Sequence, residues 1–518
     1  MKHYLKLAAC LAVISGFMML SVGEIQAAVE LLDGKLQLNG FVKEMVYIRT
    51  TMQDREKRYH NSAVDFDLTS AVLEGLYKFK EDGDLKINFY GGVKWWWEKA
   101  PTFDDKLRDS IPSRDRKSYE GPRQFDDDML NEAYIDLMKG PFQLRAGKQI
   151  VIWGQLDMQR VADVVNPLDL RRGVPGVDTW EEIKQGVWMI RGFYQSDLPG
   201  NLLFEAIFNP GDFREMRLPP EGTHYGELVH NSRFNPDDEF GLGQWILEKM
   251  KSDAPGWNTS NYEYGFKVRG YTWNIDWTLL YYNSLSDTPV AHPDRNLPFV
   301  YTYVSEALGG GVPGWSDYED QVFYYKRMES VGGTAQVYLD KLWRTVLRLE
   351  WAYQFGVPMN KSTDGSTATT NGWTRRDAYA FALACSKSVN IPGFTQSFFA
   401  TGRQLDFTIT YAWDKVRNHS SELVLGPSGH AYNHSVNDQV SLFLKQDLFH
   451  STIMFIFNGY YHFHTGKWMA VPTITYLFPG NHWRADVGYA AFGGARAKYV
   501  SNNFASKDSI LLRLRYEF

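Results

Sequence analysis

The sequence predicts an all-β protein: a transmembrane antiparallel β-barrel of about 18 strands, with 16 as the alternative count. Three observations carry this. The chain opens with an export signal. After it, no stretch is apolar for the about 18 residues a spanning helix needs. Instead, segment after segment alternates apolar and polar residues, the period of a strand with one apolar and one wet face.

The export signal comes first. Lys2, His3 and Lys6 precede an apolar run from Leu7 to Val22, followed by Gly23-Glu24-Ile25-Gln26-Ala27-Ala28. A basic start, an apolar centre and a small-residue end define a secretory signal peptide. Ile25 and Ala27 suit the −3 and −1 sites, so 1–27 is read as the cleaved signal and 28–518 as a single barrel domain. Cleavage removes Lys2, Lys6 and Glu24. It leaves 53 Lys and Arg against 60 Asp and Glu, a net charge of −7. That balance disfavours a nucleic-acid partner. Cys385 is the only cysteine left, which excludes an internal disulfide, cysteine-based zinc sites and the C-x-x-C-H haem motif.

Eighteen alternating segments follow, near 35–48, 66–79, 84–97, 130–138, 142–149, 185–195, 201–209, 262–270, 273–283, 331–339, 345–355, 376–387, 402–414, 438–448, 451–463, 467–477, 482–491 and 508–518. In 345–355, Leu347, Leu349, Trp351, Tyr353 and Phe355 oppose Arg348 and Glu350. Most segments match the about 9–11 residues of a tilted membrane strand. Burying the charged face in a dry core would be costly; in a wide barrel it lines a hydrated lumen. Connections after odd-numbered segments are mostly long and those after even-numbered ones short, as expected for extracellular loops and periplasmic turns. Two connections break this rule: 388–401 is too long and 464–466 too short. The aromatic clusters Trp95-Trp96-Trp97, Tyr324-Tyr325 and Tyr460-Tyr461 are read as interfacial girdles, since a wet barrel has no conventional core. At the C-terminus, Ile510, Leu512, Leu514, Tyr516 and Phe518 share one face. A strand of this kind ending on Phe resembles the recognition strand read by the barrel-assembly machinery.

The stretch Arg145–Arg172 is the most distinctive. On Gly147-Lys148-Gln149, Trp153-Gly154, Asp157, Arg160, Asp163, Asn166-Pro167 and Asp169, with Leu347-Arg348-Leu349-Glu350 and the terminal strand, the chain resembles an uncharacterised family of large outer-membrane barrels of proteobacteria. The resemblance implies an outer-membrane barrel with a transport role and no assigned substrate. Physically, this loop is too polar to face lipid. Folded into the lumen, Asp157, Arg160, Asp163, Asp169, Arg171 and Arg172 would narrow and charge a pore. A structural clasp, with these charges paired against the wall, fits equally well. Alternation places Arg145, Gln149, Arg191, Arg348, Glu350, Asp406, Arg484 and Asp486 on the lumen wall. With both charge signs present, no ion selectivity follows.

Motifs for chemistry are weak. His430-x-x-x-His434 lacks the glutamate of H-E-x-x-H, and His462 and His464 share its neighbourhood only if a loop folds over. Gly426-Pro427-Ser428-Gly429-His430 displaces the last glycine of the G-x-S-x-G elbow. No enzyme activity, metal or cofactor is expected. The sequence reads as a porin-like channel for small solutes, with outer-membrane lipid, lipopolysaccharide and the assembly machinery as surroundings. A homotrimer or a periplasmic partner stays open. Two alternatives also stand: a transporter of hydrophobic or amphipathic molecules, for which Tyr90, Trp96, Tyr134, Tyr338 and Phe443 would be inward aromatics, and a sheath for a periplasmic cytochrome conduit.

Overall fold

The computed structural model describes residues 29–50, 62–100, 104, 106, 129–156, 159–171, 173, 180–217, 256–291, 323–340, 344–362, 370–425, 430–431, 435–464, 466–494 and 508–518. The signal region, Asp157, Arg172 and His434 lie outside these residues, as does the side chain of His430.

Eighteen antiparallel strands close into one barrel. They are β1 (Leu36–Arg49), β2 (Val64–Asp82), β3 (Leu85–Glu98), β4 (Leu130–Lys139), β5 (Phe142–Gln149) and β6 (Val187–Gln195). Then come β7 (Leu203–Asn209), β8 (Glu263–Thr272), β9 (Ile275–Leu285), β10 (Arg327–Leu339), β11 (Thr345–Ser362) and β12 (Thr370–Val389). The last six are β13 (Leu405–Val416), β14 (Val436–Leu448), β15 (Ile453–His462), β16 (Trp468–Leu477), β17 (Trp483–Gly493) and β18 (Ser509–Glu517). Each strand pairs with the next. The seam closes where β18 lies antiparallel to β1, from Phe41 opposite Glu517 to Arg49 opposite Ser509. Closure pairs each of the eighteen barrel strands on both sides, which is what lets a sheet stand in hydrocarbon.

Alternation sets the two faces. On the β16–β17 pair, Ile474 lies opposite Val487 and Thr475 opposite Asp486. Ile474 and Val487 are 57% and 55% exposed on the outside, whereas Thr475 and Asp486 are 0% and 1% exposed on the inside. An apolar exterior over a charged interior is the pattern of an outer-membrane barrel. All eighteen predicted segments fall on these strands. The exceptional connections are also real features. Residues 390–404 form a compact turn held by Thr395 and Ser397. At the other end, His462 N and Gly466 N close the tight turn after β15. Strands β11 and β12 run well beyond the predicted 345–355 and 376–387, so the connection between them shrinks to 363–369. At the short turn between β8 and β9, Trp273 and Asn274 have φ of 52° and 62°, the paired positive values of a tight primed hairpin turn.

The girdle expectation needs correction at three positions. Trp96, Tyr325 and Tyr460 point inward, because alternation sends every second residue of a run to the lumen. Trp96 packs with Met45, Tyr47, Phe66, Leu68, Phe492 and Leu511, and Tyr460 lies against that cluster. Tyr325 packs against Phe213, with ring centroids 4.7 Å apart and planes tilted by 57°.

Phe518 completes the seam. Its N–H donates to the Gly40 carbonyl at 3.1 Å and its carbonyl accepts from Gly40 N at 3.1 Å. A Cβ on Gly40 would meet Phe518 Cζ at 2.8 Å, so the glycine leaves room for the terminal ring. Deleting Phe518 is expected to lower the fraction of folded barrel in the outer membrane severalfold, read as loss of the heat-modifiable band on a gel. Undiminished folding would contradict this role for the terminal strand.

Candidate pore constriction

The connection from β5 to β6, residues 150–186, does not stay at the barrel mouth. Contacts with strands far from its own fix its path through the lumen. The backbone N–H groups of Gln155, Leu156 and Ala162 all donate to the Glu350 carboxylate on β11, Leu156 at 2.8 Å and Ala162 at 3.0 Å. Gln439 on β14 donates to Gln159 Oε1 at 2.6 Å. Further along, helix α1 (Trp180–Ile183) carries Glu182, which pairs with Lys43 on β1 and, at 3.2 Å, with Arg515 on β18. Lys94 on β3 donates to the Glu182 carbonyl. One connection therefore touches β11 and β14 with one part and β1, β3 and β18 with another. Residues 210–217 dock on it: Arg217 N donates to Leu168 O at 2.9 Å, and Gln185 Nε2 to Leu168 O at 3.0 Å and Glu215 O at 2.7 Å.

Apolar side chains hold the connection in place. Val151, Trp153, Ala162 and Val165 join Val187, Met189, Ile207, Leu280 and Tyr282 from the inner faces of β6, β7 and β9. Leu156 and Val161 pack on Ala352, Ala382, Ala384 and Ala412 of β11, β12 and β13. The expectation that a wet barrel has no core is thus corrected. Removing apolar area from water is worth roughly 25 cal/mol per Å², and the lumen-facing alanines give the loop room to collect it. Trp153 also has a polar handle: its Nε1 donates to Glu205 Oε1 at 3.2 Å, and Lys267 Nζ lies 5.5 Å from its ring centroid.

The proposed constriction residues take the contacts of a clasp. Asp163 is buried; it accepts Trp153 N at 3.2 Å and pairs with Lys184. Arg160 reaches the carbonyls of Asp163 and Asn166, and its Nη1 lies 3.7 Å from Asp287. Asn166, fully buried, bridges Val151 N at 2.7 Å and the Gln149 and Gln185 carbonyls at 3.0 and 2.7 Å. Asp169 pairs with Arg171 at 2.6 Å.

On the wall, the charges form local networks. Arg145 pairs with Asp136 at 2.7 Å. Arg191 and Lys267 flank Glu205 at 2.7 and 2.9 Å. Asp486 accepts from Arg484 at 2.9 Å, Thr475 at 2.6 Å and Arg513 at 2.5 Å. Arg348 donates to Gln336 at 3.0 Å, Asp406 accepts from Ser388 at 2.5 Å, and Gln149 is buried with its amide on the Met189 carbonyl at 3.0 Å. His464 Nδ1 lies 2.7 Å from Asp438, which also acts on His462.

Sequence reasoning missed Lys43, Glu182, Lys184 and Glu205, although Glu205 carried a usable signal, as an acidic residue on a strand between Phe204 and Ala206. Burial raises the cost of ionising Glu182. Lys43, Lys94 and Arg515 outweigh that burial and bring the carboxyl down from 4.5 to about 2. A depressed carboxylate pKa stabilises the docked form above the unfolded value, and this contribution fades as pH falls toward the folded value. Helix α1 is therefore expected to stay docked at pH 5 and to loosen progressively between about pH 4.5 and 2. Amide exchange at 180–185 measured across that range checks it. Loosening on raising the pH from 5 to 8 would contradict it.

The family model described as a protein of unknown function (DUF1302) matches residues 8–518. The chain belongs to this family. No curated protein matches the sequence of this DUF1302 protein. Among solved structures it is similar to Acinetobacter baumannii OccAB4, with 10% identity, coverage of 93% of this chain and 98% of that one, and a TM-score of 0.47. It is also similar to Pseudomonas aeruginosa OpdK with vanillate (9% identity, coverage 95% and 100%, TM-score 0.44). A third is Salmonella typhi OmpF in complex with daunomycin (11% identity, coverage 95% and 100%, TM-score 0.43). These are likenesses of fold.

Proposed function

We propose that this DUF1302 protein is an outer-membrane channel that passes small polar solutes by diffusion through a lumen narrowed by residues 150–186. The observation that carries the reading is the anchoring of that connection to opposite parts of the wall, at Glu350 and Gln439 on one side and at Lys43 and Arg515 on the other. A loop held across a charged lumen is how a wide barrel becomes selective for size and polarity. In this reading the chain carries out no covalent chemistry, needs no cofactor and works after removal of 1–27. Its clasp residues Asp163, Asp169 and Arg171 act by holding the loop.

Liposome swelling tests the proposal. Vesicles containing the purified barrel are expected to admit a pentose or hexose and to slow sharply for a tetrasaccharide. No swelling with any polar solute, from a barrel shown to be folded, would overturn it. One observation favours a second reading, transport of a hydrophobic or amphipathic molecule. The inward cluster of Met45, Tyr47, Phe66, Leu68, Trp96 and Phe492 is contiguous. Uptake of a labelled fatty acid without swelling by sugars would favour that reading.

A further inference from the structure

A cavity of about 390 Å³ opens along strands β1 to β5, away from the clasp. Tyr90 on β3 and Tyr134 on β4 face each other across the sheet and form its floor. Their rings are stacked 4.8 Å apart at 19°. The Arg145 guanidinium lies 4.2 Å over the Tyr134 ring and is tied to Asp136 through Nη2 alone. Gly147 and Gly92 supply the space beside the pair, since neither puts a side chain against the rings.

Two polar atoms of this wall are left unsatisfied. Asn88 Oδ1, an acceptor, and Arg145 Nε, a donor, are both buried without a hydrogen-bond partner. A buried polar group without a partner costs about 1–3 kcal/mol, so a wall that keeps one of each kind is built for a ligand that both donates and accepts. The charges narrow the choice. Around the tyrosines, Glu74, Glu132 and Asp136 stand against Arg145 and Arg191, so carboxylates outnumber cations near the cavity, and an anionic solute would meet repulsion. What remains is a flat ring with an apolar C–H face and hydroxyl groups on its rim.

We propose that this cavity is a binding subsite for a neutral pyranose sugar. Tyr90 and Arg145 already cover the two faces of Tyr134, so the C–H face of the sugar lies on the face of Tyr90 turned away from Tyr134, one hydroxyl donates to Asn88 Oδ1 and another accepts from Arg145. Small side-chain rotations bring both groups onto the ligand. The proposal deepens the channel reading and rests on it for the route by which the sugar arrives.

The test is saturation-transfer NMR on the full-length mature barrel in a sugar-free detergent, with methyl β-D-glucopyranoside as the probe. The ring C–H protons are expected to saturate. Tyr90→Ala with Tyr134→Ala is expected to weaken binding at least tenfold, and Asn88→Ala alone severalfold. Tyr90→Phe with Tyr134→Phe should keep binding, which guards against a fold defect in the alanine pair. Equal saturation in all variants, or saturation of sodium benzoate but not of the glucoside, would overturn the subsite. Swelling assays on the same preparations separate the two readings. Swelling without glucoside saturation overturns the subsite and leaves the channel. Saturation without swelling supports the subsite and overturns the channel.

Discussion

Replacing Glu350 with alanine is expected to raise amide exchange at Gln155, Leu156 and Ala162 at least tenfold. One carboxylate on β11 accepts all three N–H groups and is 1% exposed. A hydrogen bond to a charged acceptor is worth about 1.5–3 kcal/mol, and each 1.4 kcal/mol is about a factor of ten. Loss of the acceptor leaves three donors to find water in a space packed by Leu156 and Val161. The apolar contacts remain, so the loop is expected to fluctuate rather than leave the lumen, and open-channel current should become noisy. Glu350→Gln keeps one acceptor oxygen and should fall between alanine and wild type. Exchange unchanged in the alanine variant would mean that packing alone positions the loop.

Gly147→Ala is expected to block barrel formation, a larger effect than any loop change. Gly147 has φ +139°, and a Cβ there would sit 2.1 Å from the Ala133 carbonyl oxygen and 2.6 Å from Tyr134 Cα. Both atoms are backbone of the neighbouring strand β4, which cannot yield without breaking the ladder. A non-glycine residue at this φ is also strained in its own right. Gly192→Ala is the matched control: its Cβ would meet nothing within 4 Å on the outer face of β6. The heat-modifiable band should vanish for the first variant and persist for the second. A folded Gly147→Ala barrel would show that β4 and β5 pair in some other register here.

Much of this barrel was legible because lipid and water stand on opposite sides of each strand. That difference writes period-2 alternation over the membrane height, and all eighteen strands carried it. The extensions of β11 to Ser362 and of β12 back to Thr370 did not show, because beyond the hydrocarbon neither face needs to be apolar. At the candidate site, alternation put Glu350 on the lumen wall. It could not show that amides about 190 positions away converge there. The loop's buried packing was partly visible. Ala380, Ala382 and Ala384 alternate with Tyr379, Phe381 and Leu383, a small inner face that leaves volume to fill. Lys43 and Glu182 were hidden because an ion pair across a lumen depends on the closed barrel, and no local pattern encodes it.

The most direct measurement is single-channel conductance in a planar bilayer, comparing wild type with a variant in which residues 155–165 are replaced by a short Gly-Ser linker. Wild type is expected to give steady ohmic steps, and the variant steps severalfold larger, because the segment anchored to Glu350 limits the passage. Equal conductance in the two would contradict the account, placing the narrowest point of the lumen elsewhere.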